Sequence, residues 1–187
     1  MLRTFLSPLL VVIAVLLIPS IDRALFFLPL ILSLSVGIVN FSKLKIGNKY
    51  LGVFLTVVQS YAVFLALAVS LFVFDALLED VALVSNNESG LIGIILVTMG
   101  GFLAAMLLFY FFFFLFNVDN KRFGFLTITI CYALIVILMQ VFSNNEFLQF
   151  GVGKFASFLI SWIIFMSLAY SMALNRTELM QFLDKKR

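Results

Sequence analysis

The side chains best able to meet a ligand are four acids, Asp75, Glu79, Asp80 and Glu88, in a stretch with no lysine or arginine between Lys49 and Lys121. Asp75 and Glu79 are one helical turn apart, and carboxylate oxygens so spaced suit a hard cation or a basic patch on a partner. The pattern Asp75-x-x-x-Glu79-Asp80 matches no dedicated metal loop, however. A loop on the non-cytoplasmic side of a membrane lacks Lys and Arg for reasons of orientation alone. Two amides come next: Gln59 and Gln140 fall within or beside long apolar runs. An amide at that depth either bonds to a neighbouring helix or lines a polar path.

Other chemistry is excluded by what the chain lacks. With no histidine, imidazole general-base catalysis, haem ligation by His and mixed His/Cys metal sites are ruled out. The lone cysteine, Cys131, sits in an apolar run and reads as a small buried hydrophobe. No phosphate-binding loop, zinc-protease, dinucleotide or nucleophile-elbow pattern occurs, and no serine has a recognisable base. No Asp, Glu, Lys or Arg is placed inside a span, which argues against a self-sufficient proton-coupled transporter. The expectation is a protein with no cofactor, no metal and no enzymatic activity.

The elements that hold these groups are membrane spans. Hydrophobic residues make up 64% of the chain and charged ones 11%, and the mean hydropathy is +1.22; a soluble domain of this size would not show this composition. The expected fold is an all-α integral membrane protein: one domain, 1–187, with six transmembrane helices at about 5–20, 24–41, 51–74, 91–116, 123–142 and 155–173. Five spans would follow if the first run were a cleaved signal or if the first hairpin were re-entrant. Asn175 with Glu178 resembles a capping box, and Leu179, Phe182 and Leu183 follow at helical spacing, so a short interfacial helix should close the chain.

The stretch Leu91 to Phe116 is expected to organise the rest. Gly100, Gly101, Ala104 and Ala105 fall on one side of it and let another backbone approach. Phe109 to Phe116 is bulky all round, suited to lipid or large apolar partners. Ala62, Ala66 and Ser70, with Gln59, form a second small-residue seam, a natural mate for the first. Lysines at 43, 45 and 49, the basic turn at 121–122 and the acid-only stretch between them put both termini in the cytoplasm, in what is expected to be a bacterial inner membrane. The net charge of +3 is confined to loops, and nothing points to nucleic acid. Packing features dominate, so the expected role is as subunit, anchor or assembly factor, with the bilayer and other membrane subunits, or further copies of itself, as partners. The alternative is a small channel or transporter subunit for a neutral or apolar solute, with Gln59 and Gln140 along the path and the acids at its mouth.

Overall fold

A computed structural model describes residues 2–17, 21–81, 86–143 and 154–184, and all its elements of any length are helices. Apolar surroundings leave a backbone no water to bond to, so long apolar runs close their hydrogen bonds internally as helices. These are α1 (Leu2–Leu16), α2 (Ile21–Val39), α3 (Lys49–Val81), α4 (Asn86–Leu115), α5 (Lys121–Ser143), α6 (Lys154–Leu174) and α7 (Arg176–Asp184). Three stretches are long and apolar enough to cross a membrane: Lys49–Val69, Thr98–Leu115 and Lys121–Leu138. A fourth span results if Leu159–Leu174 and Arg176–Phe182, bent by 81° to one another, count together. The described apolar parts of α1 and α2, Arg3–Leu16 and Phe26–Val39, are shorter.

Consecutive helices touch in chain order from α1 to α6. The ring closes through α6, which packs against α1, α2, α4 and α5. Among the described residues, none of the large exposed apolar side chains belongs to α6, whereas Leu9, Phe26, Leu65, Leu103 and Leu126 point outward from the other five. The organising role expected of the fourth span is therefore shared with α6, which packs against α1, α2, α4 and α5.

Two boundaries differ from expectation. The third helix does not stop near Phe74 but continues to Val81, and the fourth begins at Asn86. Asp75, Glu79, Asp80 and Glu88 thus lie on helical backbone, not in a loop. Apolarity marks where lipid ends, not where a helix must, and Leu, Ala, Glu and Asp in that segment are compatible with further turns.

The core has two chemical halves. On α4, Phe109, Phe112 and Phe113 are buried at i, i+3 and i+4, and Phe116 just past its end continues the series at i+7, while Tyr110 and Phe114 are exposed. Of the two environments expected for the aromatic run, lipid or large apolar partners, the buried face meets the second and Tyr110 and Phe114 face outward. Phe109 lies parallel to Tyr170 at 6.0 Å and meets Phe125 edge-on at 5.3 Å. The other half is polar. Thr4 and Ser7 of α1, Ser33 and Ser35 of α2, Thr56 and Ser60 of α3, and Ser167 and Ser171 of α6 are all buried. Several satisfy themselves on their own helices: Ser33 Oγ donates to Pro29 O at 2.7 Å, Ser35 Oγ to Leu32 O at 2.9 Å and Ser167 Oγ to Ile164 O at 2.8 Å. Ser7 Oγ instead donates across to Ser35 Oγ at 3.3 Å.

Candidate functional site

Three helices, α2, α4 and α6, end where α1, α3 and α5 begin, and this shared end is basic. Arg3, Lys43, Lys45, Lys49, Lys121, Arg122 and Arg176 all lie here. The ends of α2, α4 and α6 leave carbonyls without intrahelical donors and carry partial negative charge. The segment after α2 supplies donors. A short 3-10 turn, Phe41–Lys43, leads into an isolated antiparallel bridge between Leu44 and Phe116. In it Lys45 N donates to Leu115 O at 2.8 Å and Asn117 N to Lys43 O at 2.8 Å. The lysine ammoniums then bond to main chain: Lys43 Nζ to Leu174 O, Lys45 Nζ to Phe113 O and Lys49 Nζ to Leu44 O. Lysines that the sequence offers only as markers of orientation thus also cap helix ends.

Neighbouring contacts tie α7 and the α4–α5 turn to the same plate. Thr177 Oγ1 donates to Asp119 Oδ2 at 2.5 Å, Arg176 lies 5.4 Å over the Phe123 ring, and Lys121 lies 4.9 Å over Phe113. Asn175 corrects an expectation. Its side chain does not cap α7; its Nδ2 donates to Asn40 Oδ1 at 2.7 Å and to Ser171 O at 3.0 Å. Both asparagines are fully buried, so the amide is worth more inside the α2–α6 junction than at a solvated cap. Lys43→Met removes a charged donor from a helix end and should lower stability by about 1 kcal/mol, allowing for partial exposure. Thermal unfolding in mild detergent measures this; Lys43→Arg should keep most of it, and an unchanged midpoint in Lys43→Met would refute the capping role.

The second constellation lies on α4. Trp162 Nε1 donates to Gly101 O at 3.0 Å, Tyr170 OH to Ala105 O at 3.0 Å and Tyr132 OH to Thr98 O. Gly101, Ala104 and Ala105 are buried, and Gly100 is partly buried. Small side chains uncover the main-chain oxygens of α4, so a second acceptor lone pair is open to a donor from the next helix. The small-residue seam is thus a row of acceptors for the indole and phenols of α5 and α6. Beside it Phe64, Leu67, Gly101, Leu159 and Trp162 line an apolar recess of about 10 Å³, too small for a substrate.

The α3 seam behaves differently. Gly52, Thr56, Ser60 and Val63 face the interior, while Ala62 and Ala66 lie on the exposed side. Gln59 is partly buried on that same side, and its Oε1 is shielded yet has no hydrogen-bond partner among the described residues. The side chains of Ser70, Asp75, Glu79, Asp80, Glu88 and Gln140 lie outside the described residues. Cys131 is buried and free. Among the described residues no cluster of three His, Cys, Asp or Glu is set to hold a metal.

The class of protein defined by this geometry is an all-helical bundle with an apolar outer surface, and its long apolar helices support a membrane location. No protein family, curated protein or solved structure matches the chain.

Proposed function

We propose that the protein is a non-enzymatic multi-pass membrane protein, with α1 to α6 all inserted and both termini on the cytoplasmic side, acting as a subunit, anchor or assembly factor of a membrane complex. The orientation follows from the charge of the two ends. The end with Lys43, Lys45, Lys49, Lys121 and Arg122 is basic, whereas Asp75, Glu79, Asp80 and Glu88 lie on the helix ends away from it. α7, turned 81° from α6, would lie along the membrane surface.

The observation that carries the interaction reading is the outward face of α3. Gln59, Ala62 and Ala66 recur at i, i+3 and i+7, and the bundle leaves the two alanines exposed. Two small side chains beside the half-buried Gln59, whose Oε1 is shielded within the chain, form a surface on which another span could pack closely. The interior favours this reading over a conduit. Trp162, Tyr170, Phe109 and Phe112 fill the region between α4 and α6 at full burial.

Ala62→Phe and Gln59→Leu test the reading against its alternative. Ala62 is exposed, so Ala62→Phe should leave the isolated bundle's melting midpoint nearly unchanged while abolishing a stoichiometric association in gently solubilised native membranes; Gln59 is half-buried with its Oε1 shielded, so Gln59→Leu tests the path reading through flux. Mass analysis of the intact particle reads the outcome. A wild-type protein that purifies alone, or an Ala62→Phe variant that keeps the partner, would overturn the interaction role; loss of solute flux in liposomes by Gln59→Leu at normal protein level would favour the channel reading instead.

A further inference from the structure

The polar half of the core forms a column whose members can be placed in register. Arg3 Nη1 donates to Ser42 Oγ at 2.9 Å and Ser7 Oγ to Ser35 Oγ at 3.3 Å, which sets Thr4 between them at the level of Asn40. Asn40 and Asn175 are bonded directly, so Ser171 lies a turn inward at the depth of Val36, and Ser167 a turn further at the depth of Leu32. On the α3 side, a Cβ at Gly37 would lie 3.1 Å from Thr56 Oγ1, which puts Ser60 level with Ser33. From Asn40 to Ser33 the column is ~10 Å deep. Leu28, Val63 and Ile163, all buried, close it one turn beyond.

Four oxygen atoms in this column, Thr4 Oγ1, Ser60 Oγ, Ser171 Oγ and Asn175 Oδ1, find no partner among the described residues, and each belongs to a side chain with no exposed surface. Buried hydroxyls and amide oxygens are rarely left unbonded, and where protein groups do not reach them the usual partner is internal water. A cation is a poorer occupant, because the Lys43 ammonium already sits on Leu174 O at the mouth. We infer that the junction of α1, α2, α3 and α6 is a hydration site: a short file of internal water enters from the basic end and stops at the apolar floor, while the aromatic half between α4, α5 and α6 stays dry. This goes beyond the interaction reading and does not depend on it. It gives the bundle a wet half and a dry half at the same depth.

Hydroxyl-radical labelling by a synchrotron X-ray pulse tests this, with the protein in lipid nanodiscs and peptide-resolved mass analysis, because buried side chains are oxidised only where water lies next to them. Val36 and Leu32, fully buried at the depth of the column, should be labelled. Phe109 and Phe112, equally buried and intrinsically more reactive toward the radical, should not be. In the Thr4→Val, Ser171→Ala double variant, labelling of Val36 and Leu32 should be lost. Absence of label at both aliphatic positions in the wild type, equal label in both halves, or full label retained in the double variant would each overturn the hydration site.

Discussion

Replacing Trp162 with alanine is expected to be the most damaging single truncation in the bundle, lowering stability by about 3–5 kcal/mol. The indole is 2% exposed, meets Phe64 edge-on at 5.2 Å and donates to Gly101 O at 3.0 Å. It therefore joins α3, α4 and α6 at one point. Between helices already in lipid, removal of apolar surface from water contributes little, so packing and hydrogen bonding carry association. Truncation would forfeit both and enlarge the recess beside it. Trp162→Phe separates the two: the ring is largely kept and the donor lost, so the cost should fall to about 0.6–2 kcal/mol. Reversible unfolding in mixed micelles, followed by helical circular dichroism, gives both values. Equal losses would mean that the hydrogen bond alone holds the junction; no loss in either would remove Trp162 from the centre of the fold.

The sequence makes the helices legible because uninterrupted apolar runs leave the backbone one economical conformation. It misplaces the end of α3 because Asp75, Glu79 and Asp80 end the apolar run without ending the helix. Which face of α3 turns inward was open to reading. Gly52, Thr56 and Ser60 recur every four residues, as do Ala62 and Ala66, but only the first set carries hydroxyls, and lipid penalises an outward hydroxyl more than an outward alanine. The run from Phe109 to Phe116 conceals its buried face because bulky residues at nearly every position leave no contrast between sides. Trp162 offered a signal, since the only indole of the chain, placed within a span, must find an acceptor. The lysine caps could not be read, because the carbonyls of Leu174 and Phe113 come from helices far along the chain.

Gly124→Ala should be nearly as harmful as the loss of Trp162, although it adds a single methyl group. A Cβ at this position would stand 2.0 Å from Cζ and 2.5 Å from Cε1 of Phe109. On a flexible exposed ring such a clash would cost little, since the ring could swing aside. Phe109 has no exposed surface and is held by Tyr170 on one face, by Phe113 at 4.6 Å and by Phe125 at 5.3 Å. Relief must come from separating α4 and α5, at a cost of about 1–3 kcal/mol, toward the upper end because three other aromatic rings hold Phe109 in place. Phe109→Leu alone should destabilise by leaving part of the ring's space empty. Together the two should cost less than their sum, because the leucine vacates the space that the methyl group needs. A compensating coupling of about 1–2 kcal/mol in the double-mutant cycle is the expected result; additive losses would show that Gly124 serves some purpose other than making room for Phe109.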